Sequence, residues 1–168
     1  IIGNAYGGGD NTGQTTTKIY LQGSSVTNLF GGSNQSGNVT TSNVYATSGS
    51  FSYIYGGNNI AGSTATTNVS VNSLDNSKGN VYGGGNQAGG DKTNVKVVGG
   101  TITDIFGGSN QTGDISTSNV VVGGDSIGFD YTFTNYSGQD QGTSKAYIYT
   151  VDVSVTNNSD ETLNKWNM

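Results

Sequence analysis

Histidine, arginine, cysteine and proline are all absent from this chain of 168 residues, and only 10% of its residues are charged. The lack of histidine removes the commonest general base. The lack of cysteine leaves the redox compartment open, because no disulfide framework can be read. Serine and threonine are plentiful but have no partner base that would activate them as nucleophiles. We therefore expect a protein that is not an enzyme.

Positive charge and long apolar runs are scarce as well. The net charge is −5, all six cations are lysines, and no basic stripe exists, so nucleic acid and anionic membranes are not expected partners. No apolar run approaches the roughly 20 residues of a membrane-spanning helix, so we expect no membrane insertion. The 31% of hydrophobic residues recur at fixed phase, which predicts a narrow continuous core rather than disorder.

A short motif occurs five times: an aliphatic residue or alanine, an aromatic residue, two glycines and, two positions later, an amide or carboxylate. Successive aromatics are 24, 25, 27 and 24 residues apart, which is the spacing of a repeat whose units stack on each other. The aromatics are Tyr6, Phe30, Tyr55, Tyr82 and Phe106, and the polar positions are Asp10, Asn34, Asn59, Asn86 and Asn110. The four asparagines predict a structural ladder, in which equivalent amides bond along the stack.

Three short apolar stretches occur in each repeat, separated by corners rich in glycine or asparagine. One stretch alternates with polar residues, as in Val44 and Ala46 or Val69 and Val71, which is typical of a half-buried strand. We therefore predict an all-β fold, a parallel β-helix or β-solenoid of about five coils of about 24 residues with roughly three sides, over residues 1–128. Lys78 interrupts one apolar column, beside extra residues that predict an outward loop around 74–80.

The orientation of the aromatic column is open at this point. Strand alternation places each aromatic and the aliphatic residue before it on opposite faces. Aromatics that face outward would form a strip for sugar rings, which makes Tyr6, Phe30, Tyr55, Tyr82 and Phe106 candidates for carbohydrate binding. Aromatics that face inward would be core residues, and the glycines after them would make room for the rings. We favour the inward or half-buried role.

Metal binding has little support in the pattern. Gly-rich turns with an acidic residue, such as residues 6–11, are similar to calcium-binding turns of nonapeptide β-rolls, but asparagine replaces aspartate in four of the five copies. Calcium prefers several carboxylate oxygens. We expect no metal site and no cofactor, with calcium as the one alternative.

Residues 129–168 do not continue the repeat and predict a separate β-strand tail, with strands over 129–135 and 146–157. The segments FDYTFTN (129–135), VSVTNNS (153–159) and LNKW (163–166) resemble the first part of family 2 carbohydrate-binding modules. The resemblance covers about 40 of the 168 residues. It implies an incomplete β-sandwich module that binds cellulose or xylan through aromatics, with Tyr136 and Trp166 as the candidates here. An unrelated β cap is the alternative.

The repeats have a resemblance of their own. Segments such as VYGGGNQAG (81–89) and NVKVVGGTIT (94–103) are similar to the YGGGN-type repeats of bacterial cell-surface and adhesin-like proteins. The resemblance implies an extracellular or cell-surface structural segment, or adhesin repeat. Two alternatives stay open: a protein that binds plant polysaccharide or a cell-surface glycan, and a self-assembling fibre subunit whose open solenoid ends pair with other copies.

Overall fold

A computed structural model describes residues 1–72, 79–123, 127–141 and 144–157. These residues contain strands and turns but no helix. The chain divides into two compact units, Ile1–Gly123 and Gly124–Met168. The first unit holds the predicted repeats, and the boundary lies five residues before the one that the sequence suggested.

The first unit is a parallel β-solenoid in which each coil contributes two strands. Sheet A stacks one strand from each coil in the order β1-β3-β5-β7-β9, and sheet B stacks the others in the order β10-β8-β6-β4-β2. The strands of sheet A are β1 (Ile2–Tyr6), β3 (Ser24–Phe30), β5 (Gly49–Tyr55), β7 (Gly79–Tyr82) and β9 (Ile102–Phe106). Those of sheet B are β2 (Gln14–Leu21), β4 (Val39–Ala46), β6 (Ser63–Asn72), β8 (Gly89–Val98) and β10 (Ile115–Val122).

The strands pair in register with the repeat. Tyr6 pairs with Phe30, Phe30 with Tyr55, and Tyr55 with Tyr82, so equivalent residues lie directly above one another. Sheet B does the same, with Val44 beside Val69 and its equivalents. The predicted β-solenoid of about five coils is therefore confirmed.

The third side of each coil is a stack of turns rather than a strand. Backbone bonds join these turns from coil to coil, as from the Asn59 amide to the Ser33 carbonyl at 2.9 Å and from the Gln87 amide to the Asn59 carbonyl at 2.7 Å. Gly37 and Gly62 in this region have φ of 104° and 80°, a conformation that favours glycine. Two of the three apolar stretches of each repeat lie in one strand, as Val26 and Leu29 do in β3. The coil therefore has the three expected sides only if the stack of turns is counted as one of them.

The core lies between the two sheets. From sheet A it receives the residue before each aromatic, such as Leu29, Ile54 and Val81, and from sheet B the alternating residues such as Val44 and Val69. All five are at most 2% exposed. The interior is thus a narrow stack of aliphatic side chains, about one layer per coil.

One coil departs from the regular pattern in sheet A. The register shifts between Gly79 and Asn80, and Gly79 pairs with Ile102. A side chain at Gly79 would meet the ring of Phe51, at 2.6 Å from its Cδ2 atom. The large ring of one coil therefore fills the space that a small residue leaves in the next. Lys78 and residues 74–77 of the predicted loop lie outside the described residues, whereas Gly79 and Asn80, which the prediction placed in the loop, belong to β7.

The second unit contains an antiparallel strand pair, β11 (Ile127–Gln141) with β12 (Ser144–Asn157). The register shifts once, between Phe133 and Asn135. Both strands predicted for the tail lie within these elements. Tyr136 belongs to β11, whereas Trp166 lies outside the described residues.

Candidate functional site

The five aromatics of the repeat lie on the face of sheet A that is turned away from the main core. Leu29 and Phe30 are neighbours in β3 and point to opposite faces, and Leu29 belongs to the aliphatic core. The rings form a separate cluster in a continuous stack. Their centroids are 4.6 to 5.3 Å apart and their planes differ by 7 to 13°.

Outward direction does not make this column a flat platform. Phe30, Tyr55 and Tyr82 are only 3%, 4% and 7% exposed, because each ring is covered on both faces by the rings of adjacent coils. Phe106, at one end of the stack, is 44% exposed. The column is therefore outward yet buried, which neither simple alternative describes. The glycines that follow the aromatics therefore do not serve to make room for the rings.

Those glycines allow the coils and the two sheets to approach each other. A side chain at Gly56 would collide with the Gly83 carbonyl of the next coil and lie 2.9 Å from Val69 Cγ2 in sheet B. The same carbonyl row accepts buried hydroxyl groups: Ser42 donates to the Gly56 carbonyl and Thr67 to the Gly83 carbonyl, both at 2.6 Å. Equivalent bonds run from Thr17 and Thr93.

Sequence reasoning missed this hydroxyl column. Its signal is a threonine or serine placed two residues before the first apolar residue of each sheet B stretch, at Thr17, Ser42, Thr67, Thr93 and Ser118. A buried hydroxyl needs a partner, and the row of glycine carbonyls supplies one to Thr17, Ser42, Thr67 and Thr93, whereas Ser118 in the last coil is exposed.

The asparagines of the turns bond to one another along the stack. Each amide nitrogen donates to the side-chain oxygen of the preceding coil: Asn34 to Asp10 at 2.7 Å, Asn59 to Asn34 at 2.9 Å, Asn86 to Asn59 and Asn110 to Asn86 at 3.0 Å. This geometry is that of a continuous ladder whose first acceptor is a carboxylate.

The ladder lies beside the stacked rings. Asn59 donates to the Tyr6 hydroxyl at 3.4 Å. Burial first, and then the neighbouring hydroxyls of Tyr82 and Tyr53, raise the pKa of Tyr55 to about 12, against the opposing effect of a hydrogen bond with Asn110. Burial also raises the pKa of Tyr6. In this column the neutral phenol is therefore favoured at Tyr6 and Tyr55.

Sheet B carries a different outward surface. Tyr20 and Tyr45 stack at 4.9 Å with planes 17° apart, and Ser70, Lys96 and Val121 continue the column. A groove of about 290 Å³ opens on this column, and Tyr45, Ser70, Lys96 and Val121 line it. We call this the sheet B groove.

A second amide ladder borders the sheet B groove. Asn68 donates to Asn43 at 3.1 Å and Asn94 donates to Asn68 at 2.9 Å. Asn68, Asn94 and Asn119 are also part of the groove lining. The sequence signal for this site is a tyrosine at the same repeat position in two successive coils, Tyr20 and Tyr45, and a small residue, Ser70, at that position in the third coil.

Metal ligands are sparse. Among the described residues no group of three histidine, cysteine, aspartate or glutamate side chains could hold a metal ion. In the same residues no helix is long and apolar enough to cross a membrane. Every buried polar side-chain atom in the described part has a hydrogen-bond partner.

Comparison of the chain with known proteins adds no family to these observations. No protein-family model, no curated protein and no solved structure matches it.

Proposed function

We propose that this chain is a non-enzymatic structural segment of an extracellular or cell-surface protein, an adhesin-type repeat that works as a stalk. One observation carries the proposal: the repeated side chains of residues 1–72 and 79–123 bond to and pack on the coils above and below. The ring stack, the two amide ladders and the hydroxyl column all connect coil to coil. Such a unit is stabilised by neighbour contacts and can present whatever is attached to it.

The proposed location depends on the resemblance of the repeats to bacterial surface proteins. Protease treatment of intact cells that make the protein tests it. We expect an added protease to remove the chain, detected with an antiserum against residues 1–123, while a cytosolic marker protein stays intact. Detection of the chain only after the cells are broken would contradict the proposal.

A self-assembling subunit is the second candidate, and the last coil favours it. Phe106 is 44% exposed and Val122 is 69% exposed, although equivalent residues of inner coils are buried. In the described residues β9 and β10 each pair with one strand only, and unpaired edges can join other chains.

Sedimentation velocity over a hundredfold range of protein concentration tests this candidate. We expect the wild type to associate as concentration rises and Val122→Lys to stay monomeric. Ser116→Lys, on an exposed residue of the same strand, is the control and should associate like the wild type. A wild type that stays monomeric throughout would exclude assembly through this coil.

A further inference from the structure

The sheet B groove has the features of a binding site and differs from both aromatic sets predicted from the sequence. We propose that it binds a neutral polysaccharide, with one pyranose ring seated on the face of Tyr45 and its hydroxyl groups bonded to Asn68 and Asn94. The proposal goes beyond the stalk function and does not depend on it. It follows from the gap beyond Tyr45, the amides beside that gap and the neutral chemistry of the lining.

The column that starts with Tyr20 and Tyr45 has a gap one ring thick. Tyr20 covers one face of the Tyr45 ring, and the next residue along the column is Ser70, whose side chain is short. Lys96 follows one coil further on. Since adjacent coils are about 4.8 Å apart, the levels of Tyr45 and Lys96 are about 9.6 Å apart. Atoms in contact need about 4 Å, so one ring fits between the two levels, whereas two stacked rings would need about 12 Å.

The size of the groove agrees with a single sugar ring. Its volume is about 290 Å³, which lies at the small end of the roughly 300–1,000 Å³ of sites for larger ligands. Because it is a groove rather than an enclosed cavity, the neighbouring units of a polymer can extend beyond it. The site therefore fits one unit of a longer chain.

Amide groups lie beside the gap. Asn68 and Asn94 line the groove and are half-buried, and the ladder uses one N–H of each side chain. An amide nitrogen carries two N–H groups, so each asparagine has a second donor. A pyranose ring presents an apolar face, which suits Tyr45, and a rim of hydroxyl groups, which suits these donors. A purely aromatic ligand would cover the donors without giving them partners, which costs free energy.

The chemistry of the lining indicates a neutral sugar. Its polar side chains include the amides of Asn68, Asn94 and Asn119, and no carboxylate is present among the described residues that line the groove. Lys96 is the one charged residue of this set, and it already takes part in an interaction within the chain, so its charge is not assigned to the ligand. Amides bond to hydroxyl groups without a charged partner, and binding of this kind is insensitive to salt.

Isothermal titration calorimetry with the full chain tests the proposal. The neutral probes are cellohexaose, xylohexaose and mannohexaose, and the charged comparison is hexagalacturonate. We expect at least one neutral oligomer to bind, with an affinity that is unchanged when salt is raised tenfold. Tyr45→Ala should weaken this binding about tenfold, which is the size of one lost ring contact. Tyr45→Phe keeps the ring face and should bind like the wild type.

Ser70→Tyr is the most specific variant, because it continues the stack of Tyr20 and Tyr45 and closes the gap for the sugar. We expect it to fold normally, with unchanged circular dichroism and an equal or higher melting temperature, and to lose binding. Tyr53→Ala, on the outward face of sheet A, is the matched control and should bind like the wild type. Tyr136→Ala, in the second unit, should also bind like the wild type.

The outcomes separate the components of the proposal. Absence of binding to all three neutral oligomers at millimolar concentration would overturn it and leave the stalk proposal unaffected. Binding to hexagalacturonate alone, weakened by salt, would contradict a neutral ligand. Normal binding by a folded Ser70→Tyr variant would contradict the groove as the site. Loss of binding in Tyr136→Ala would assign the sugar to the second unit and contradict the groove as well.

Discussion

The aliphatic column of sheet A allows the same substitution to be made at the centre of the solenoid and near its end. Ile54 and Ile105 occupy equivalent positions, each just before the aromatic of its coil. Ile54 is 0% exposed, whereas Ile105 is partly buried at the edge of the core. We predict that Ile54→Ala destabilises the first unit far more than Ile105→Ala.

The expected size follows from the atoms removed. Each variant loses three carbon atoms, which at about 0.8 kcal/mol per buried group is about 2.4 kcal/mol of transfer free energy for a fully buried side chain. Sheet pairing above and below restricts relaxation around Ile54, and the residual cavity adds about 1–2 kcal/mol. We therefore expect a loss of about 3–4 kcal/mol for Ile54→Ala. For Ile105→Ala we expect about 1 kcal/mol, because solvent already reaches the side chain.

Urea-induced unfolding, followed by far-ultraviolet circular dichroism, measures both losses in the free energy of unfolding. The slope of the free energy against urea concentration must be the same in both variants, so that the comparison concerns the folded state. Equal losses would refute the reasoning, since they would mean that the inner and edge positions of the column are equally well packed. A slope that falls only in Ile54→Ala would instead show that the coils unfold separately.

Three further predictions concern other parts of the molecule. Gly56→Ala should lower the free energy of unfolding, measured by heat or urea, by about 3 kcal/mol, because the new Cβ would collide with the next coil. Gly3→Ala, whose Cβ would have nothing within 4 Å, should lower it hardly at all. Similar losses in the two variants would contradict the close approach of the coils. Since the pKa of Tyr55 is raised to about 12, its neutral form is favoured in the folded state, so its contribution to stability is complete below pH about 10 and is lost as the pH rises from about 10 to about 12. Tyr55→Phe should remove the step near pH 12 from the ultraviolet phenolate titration and reduce this loss, and an unchanged titration would refute the assignment. If the tail is a cellulose-binding module, the chain should be retained on insoluble cellulose and a folded double variant, Tyr136→Ala with Trp166→Ala, should not; equal retention of both would contradict that role for the two aromatics.

The fold could be predicted from sequence because the repeat itself carries the information. Equivalent residues at nearly constant spacing require equivalent environments, and stacked parallel strands provide them. The number of strands per coil was harder to predict. In the sequence, Val26 and Leu29 were assigned to two separate apolar stretches, yet both lie in β3 and both belong to the core. A short apolar segment does not reveal whether a corner separates it from the next one.

The position of the aromatics shows a second limit of sequence reasoning. In the pair Ile54-Tyr55 both residues are apolar enough for a core, and alternation states only that they point in opposite directions. What decides between them is the opposite sheet, where Val44 and Val69 pack against aliphatic side chains. The sheet B groove was missed for a related reason. Ser70 and Lys96 are ordinary outward residues, and only the register places them after Tyr45.

The asparagine ladder of the turns also gives the solenoid an electrical direction. Each amide donates toward the preceding coil, so the amide dipoles align in the same sense, as peptide dipoles do in a helix. Asp10 lies at the end of the ladder toward which the N–H groups point, and it accepts the hydrogen bond of Asn34. Its position is like that of a carboxylate that caps a helix N-terminus. A second copy placed head to tail would bring the side-chain oxygen of Asn110 against this carboxylate, two acceptors with no hydrogen between them. The ladder therefore opposes head-to-tail extension at Asp10, even though the backbone edge of β1 has room for another strand.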